Sequence, residues 1–177
     1  MINSHTFVLA IEGIDGSGKT LQWEMLRSAL EEEGKTVDLL SFPVYDSFFG
    51  HQVGLLLSGK GQVRAAALDR RSLCWLYSLD RYAALEAYIR EKKRAENWPD
   101  VLLINRFTLT NAVYQSIREI DAGMPDNWDW VRELEQGQLN LPDPDLYLIL
   151  DVDPLAAQEN VDMKGAREYI EGRDVYE

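Results

Sequence analysis

The run Glu12-Gly13-Ile14-Asp15-Gly16-Ser17-Gly18-Lys19-Thr20 constrains this chain more than any other stretch. It follows an apolar segment, Phe7 to Ile11, and leads into a helical pattern that starts at Leu21, so it sits at a strand-to-helix turn. Gly13, four intervening residues, Gly18, Lys19 and Thr20 have the spacing of a phosphate-binding loop, the P-loop. In such a loop backbone N–H groups wrap phosphates, the lysine reaches the outer ones and the hydroxyl holds Mg²⁺. The helix N-terminus behind it adds unpaired donors and a favourable dipole. Gly13, Ile14, Asp15, Gly16, Ser17, Gly18, Lys19 and Thr20 are therefore the expected phosphate contacts, with Thr20 the expected metal ligand.

The segments that follow read as alternating helices and strands. Thr20 to Glu33 has helical apolar spacing and stops at Gly34. Val37 to Phe42 reads as a second strand, returned parallel to the first through a right-handed helical crossover to complete a βαβ unit. Tyr45 to Gly50 reads as a loop and Val53 to Leu57 as a short apolar segment. A long helix capped by Asp69 runs past Arg90, and its apolar set is too wide for one stripe. Either the helix is wholly internal, or one face covers the sheet and the rest meets another element or a second subunit. Asp80-Arg81 interrupts this surface as a structural pair or a ligand contact. Val101 to Ile104 is continuous apolar sequence of the kind found in buried parallel strands. It ends at Asn105-Arg106, which then point where the P-loop points, because ligands sit beyond the carboxyl ends of such strands. Helices are expected over Thr110 to Ile120 and Asp126 to Gln136, a fourth strand over Leu146 to Asp151, and a further helix from Pro154. Met163 to Glu177 is polar and of mixed charge. The pattern is α/β, with residues 1–177 expected to form a single domain.

A net charge of -12 argues against nucleic-acid polymers and anionic membranes as partners. A small anionic ligand needs only local cations, for which Lys19, Arg81, Arg106 and Arg167 are the candidates. The single cysteine, Cys74, lies in an apolar helical pattern and reads as a core thiol of a reduced, cytoplasmic protein. Residues 1–6 lack the form of a signal peptide, and no apolar run approaches the roughly 20 residues of a membrane span.

Taken in order, the motifs resemble those of the thymidylate kinase family, P-loop enzymes acting on nucleoside monophosphates. The pieces are Ile11 to Thr20, Phe42-Pro43-Val44-Tyr45, Leu79-Asp80-Arg81, Asn105-Arg106-Phe107 with Asn111 and Tyr114-Gln115, and Leu141 to Asp145 leading to Leu150-Asp151-Val152. The resemblance implies a three-layer P-loop kinase fold, a parallel sheet flanked by helices, and ATP- and Mg²⁺-dependent conversion of dTMP to dTDP. It implies acceptor contacts from Asp15, Phe42, Tyr45, Tyr77, Arg81, Arg106, Asn111, Tyr114 and Gln115. Of these, Arg81 would meet the dTMP phosphate, Tyr77 would stack on thymine, Asp15 would accept from the 3′-hydroxyl and Arg106 would bridge the two phosphate groups.

By the same resemblance a lid at about 159–174 closes over ATP. The P-loop carries no arginine, so the catalytic cation would come from the lid. Arg167 is the first choice, with Lys164 and Arg173 behind it, and the implied catalytic set is Lys19, Arg106, Arg167 and Asp15. Asn105 stands where most members have Asp, and Val44 where many have Arg. The resemblance also leads one to expect the family's last strand and helix to be lacking. Asp151, an acid ending an apolar strand, is expected to be structural. A homodimer is implied. The alternative functions are another nucleoside or nucleoside-monophosphate kinase, or a nucleotide-binding protein with impaired catalysis.

Overall fold

In the computed structural model, residues 1–117, 123 and 125–164 are described. Four strands, β1 (Phe7–Gly13), β2 (Val37–Ser41), β3 (Val101–Asn105) and β4 (Leu146–Leu150), form one parallel sheet in the order β2-β3-β1-β4. The helices are α1 (Lys19–Glu32), α2 (Phe48–Ser58), α3 (Arg70–Ala95), α4 (Thr108–Ile117), α5 (Trp128–Arg132) and α6 (Pro154–Lys164). A π-helical turn, Glu133–Gln138, continues α5. Among the described residues no helix is long and apolar enough to cross a membrane.

Side-chain alternation along the two inner strands builds the layers. Leu9, Ile11, Val101 and Leu103 face one side, where Trp23, Leu26 and Leu30 of α1 cover them. Val8, Ala10, Leu102 and Ile104 face the other, against Phe42, Leu85, Phe107 and Leu141. The result is helices on both faces of a parallel sheet. The parallel return of Val37–Ser41 is present, but β2 does not neighbour β1: β3 lies between them. The sequence gives a reason. Every residue of Val101–Asn105 is buried, whereas Val37–Ser41 carries Asp38 and Ser41 and stays partly exposed, so the wholly apolar strand takes the centre and the mixed one an edge. On the opposite edge, Leu146, Leu148 and Ile149 of β4 remain 47%, 38% and 58% exposed.

Three expected boundaries shift. The segment read as a loop from Tyr45 to Gly50 followed by a separate apolar stretch is largely one helix, α2, capped by Ser47, whose Oγ accepts from Gly50 N at 2.9 Å. Helix α1 begins at Lys19 rather than Leu21, with Gly18 as its left-handed N-cap. Helix α4 begins at Thr108 rather than Thr110, and the part of that expected helix beyond Ile117 lies outside the described residues. The long helix forms as expected: Asp69 accepts from Arg71 N and Ser72 N, both at 3.0 Å, and α2 and α4 pack against it, so neighbouring elements cover much of its wide apolar surface.

Candidate active site

The P-loop turns on backbone freedom. Gly16 and Gly18 have φ of 80° and 86°, a region that side chains disfavour. At Gly16 there is also no room, since an added Cβ would lie 1.9 Å from Ala157 O of α6. Asn160 of α6 donates to Gly16 O at 2.9 Å, so the helix after β4 is seated directly on the loop. Lys19 is 5% exposed and its Nζ donates to the loop's own carbonyls, Gly13 O at 2.8 Å and Ile14 O at 2.7 Å, with Asp15 Oδ1 at 3.9 Å. Thr20 is exposed at the start of α1.

Asp15 joins the loop to the end of β3, because Arg106 Nη2 donates to Asp15 Oδ1. Arg106 holds φ 64°, while its backbone N still donates to Ile11 O at 3.0 Å. Left-handed backbone is uncommon for a side-chain-bearing residue and clusters at functional sites; here it turns the guanidinium out of the sheet edge toward the P-loop. Burial by itself would lower the Arg106 pKa, but the Asp15 charge and the Tyr114 hydroxyl outweigh it and hold the group above its ordinary value. Burial, then repulsion from Asp15, raises Tyr114, so its hydroxyl keeps its proton.

All nine residues assigned to the acceptor from sequence line one cleft, with Pro43, Leu57 and Thr110 added. Arg81 is 2% exposed and lies 5.9 Å from the ring centres of both Phe42 and Phe107. Its Nη1 donates to Glu135 at 3.1 Å and its Nη2 to Phe107 O at 2.9 Å. The neighbouring Asp80 is structural: it accepts from Val44 N at 2.9 Å and from Ser47 Oγ at 2.8 Å, tying the Phe42-Pro43-Val44 turn to α2 and α3. A second cleft borders the first at Tyr114; it is lined by Gly13, Val113, Ile149, Asp151 and Pro154 among others, and Asp151 is exposed on its rim.

Two buried acids were not singled out from sequence. Glu12, 1% exposed, accepts from Phe107 N at 3.0 Å, Thr110 N at 3.2 Å and Thr110 Oγ1, so it binds the base of the P-loop to the first turn of α4. Glu135, 0% exposed, accepts from Ser78, Arg81, Thr108 and Asn111. A signal for Glu135 was present: with Val131 and Leu134 it completes an i, i+3, i+4 inward stripe, an odd position for an acid.

Among the described residues no group of three His, Cys, Asp or Glu side chains is placed to hold a metal. Mg²⁺ does not require one, since it is commonly held by one or two protein oxygens, several waters and substrate phosphates. Asn105 fits that requirement. Its Nδ2 donates to Ser41 at 3.1 Å, while its buried Oδ1 has no partner among the described residues, leaving a hard oxygen at the carboxyl end of β3. The lid candidates Arg167 and Arg173 lie outside the described residues, as does most of the expected lid; Lys164 ends α6.

Residues 11–176 match the family model described as thymidylate kinase. The chain is 30% identical over 173 residues to a thymidylate kinase of Mycobacterium tuberculosis (strain ATCC 25618 / H37Rv), covering 96% of this chain and 77% of that protein. It is 30% identical over 158 residues to a probable thymidylate kinase of Archaeoglobus fulgidus, covering 89% and 70%. It is 26% identical over 150 residues to a thymidylate kinase of Schizosaccharomyces pombe, covering 85% and 63%.

Proposed function

The chain belongs to the thymidylate kinase family, phosphotransferases acting on nucleoside monophosphates, and on that premise we propose that it transfers the γ-phosphoryl of ATP to dTMP, with Mg²⁺, giving ADP and dTDP. The observation that carries this reading is the Asp15–Arg106 contact, which joins a phosphate-binding loop to the cleft that all nine acceptor candidates line. Phosphoryl transfer asks little covalent chemistry of the protein and much positioning and positive charge. The arrangement supports that division. Loop N–H groups and Lys19 hold the ATP phosphates, with Lys19 exchanging its bonds to Gly13 O and Ile14 O for phosphate oxygens.

Arg106, 24% exposed and beside the loop, meets the acceptor phosphate. Arg81 takes a different part from the one the family resemblance implies. At 2% exposure, and already paired with Glu135, it lies too deep and too well neutralised for a phosphate partner. We assign it with Asn111 and Gln115 to the base, with Phe42 and Tyr77 against the ring. Asp15, Tyr45 and Tyr114 line the sugar. When bound, Mg²⁺ neutralises charge on the transferring phosphates, with Thr20 and Asn105 as its protein oxygens. Arg167 supplies the remaining cation. A cytoplasmic homodimer completes the reading, with Trp75 and Tyr82, each 38% exposed on α3, as the apolar face to be shared.

The test is ADP release from ATP and Mg²⁺ with dTMP, dUMP, dCMP, dGMP or AMP in turn. The highest kcat/KM is expected with dTMP. Saturable ATP binding without turnover on any acceptor would instead identify a binding protein.

A further inference from the structure

Glu135 is a fully buried carboxylate that touches no solvent and takes no part in phosphate handling. Its Oε1 accepts from Ser78 Oγ at 2.7 Å, Asn111 Nδ2 at 2.9 Å and Arg81 Nη1 at 3.1 Å, and its Oε2 accepts from Thr108 Oγ1 at 2.7 Å. A buried ion pair such as Arg81–Glu135 contributes little net stability, because desolvating both ions offsets their attraction. What the carboxylate does determine is which polar atoms its partners have left to offer.

Asn111 Nδ2 is held by three oxygens: Glu135, Cys74 O at 3.2 Å and Ser78 Oγ at 3.3 Å. A carboxylate and a carbonyl can only accept, so turning the amide over would set Asn111 Oδ1 against both. The amide is thereby fixed, and on a residue that lines the cleft the buried Oδ1, without a partner among the described residues, is the polar atom left over. For Arg81, Nη1 and Nη2 each spend one of their two N–H groups on these partners, and Nε has no partner among the described residues.

We propose that Glu135 is a positioning residue for base selection: by taking the donors of Asn111 it fixes that amide with its acceptor left for the ligand, and by pairing with Arg81 it holds a donor beside it, the combination that suits a 4-oxo pyrimidine. Thymine and uracil supply the complement, an O4 that accepts and an N3–H that donates. Cytosine supplies the reverse, an N4 amino group that donates and an N3 that accepts. The inference rests on the dTMP reading above and adds a residue that does not itself touch the base.

The experiment compares wild type and Glu135→Leu by kcat/KM with dTMP, dUMP and dCMP at saturating ATP. Leucine removes both carboxylate oxygens and leaves Cys74 O alone against a turned Asn111 amide, so the dTMP-to-dCMP ratio is expected to fall about tenfold, the scale of one hydrogen bond to a charged group. The dTMP-to-dUMP ratio and the KM for ATP should stay within about twofold, since neither depends on this pair. An unchanged dTMP-to-dCMP ratio in a folded variant, or equal losses across every substrate, overturns the proposal. If Glu135→Leu loses its cooperative melt, Glu135→Asp decides, because it keeps the charge opposite Arg81 while drawing the carboxylate back from Asn111 by the length of one methylene. A fall of about threefold in the same ratio then supports the proposal, and no change overturns it. Wild type that uses dCMP as well as dTMP overturns the base reading itself, an outcome visible before any variant is made.

Discussion

Buried and half-buried polar residues in this site are set by partners far away in sequence. Arg81 meets Glu135 across 54 positions, Glu12 meets Thr110 across 98, and Arg106 meets Asp15 across 91. Cys74 belongs to the same interior. It is wholly buried, with Asn127 Nδ2 donating to its Sγ at 3.1 Å. Burial first, and the nearby Glu135 charge second, push its thiol up to about 12. The folded protein therefore favours the neutral thiol over the reactive thiolate. Iodoacetamide at pH 8 should leave native protein unmodified and label it rapidly once urea unfolds it; labelling of native protein at the unfolded rate would contradict the burial. The linkage has a definite sign. A folded pKa above the unfolded one means that this contribution is intact below about pH 9 and lost as pH rises from there toward about 12, so Cys74→Ala should flatten the alkaline fall in Tm.

At the scale of elements, the strands and the P-loop helix were legible because their signals are local: continuous apolar runs for β1, β3 and β4, and glycine spacing for the loop. Helix α2 was not, and Gly50 explains why. In sequence Ser47-Phe48-Phe49-Gly50 looks like a turn, since glycine usually breaks helices. In the fold that glycine is what lets α2 press against the Phe42-Pro43-Val44 turn, because a Cβ there would lie 1.9 Å from Val44 O and 2.9 Å from Asp80 Oδ1. Helix α5 was similarly half-legible: its periodicity was visible, but the π-helical turn that brings Leu134 and Glu135 inward together depends on closure against α3 and α4. Gly50→Ala must then either displace Val44 or unseat α2. It should cost about 1–3 kcal/mol by overpacking and raise the KM for dTMP far more than that for ATP, since Phe42 and Tyr45 flank the displaced turn. Equal KM changes for both substrates would show that α2 does not shape the acceptor cleft.

At the scale of the whole molecule, the proposed reaction asks a chain of net charge -12 to bind two anionic substrates. Its long-range field repels them, and attraction comes from a few cations, of which Arg106 and Lys19 are each held within a few ångströms of Asp15. These two contributions have different reach. The screening length falls from about 30 Å at 0.01 M salt to about 8 Å at 0.15 M, so added salt removes repulsion from distant surface acids first. Contacts made inside the cleft, at hydrogen-bond distance and away from solvent, are screened much less. Raising NaCl over that range at fixed excess Mg²⁺ and saturating ATP should therefore increase kcat/KM for dTMP by lowering KM, with kcat nearly constant. A steady fall in kcat/KM over the same range would mean that the arginines already dominate the field at a distance. The sign of the salt response thus tells whether the substrate is drawn in from solution or captured only on arrival at Arg106.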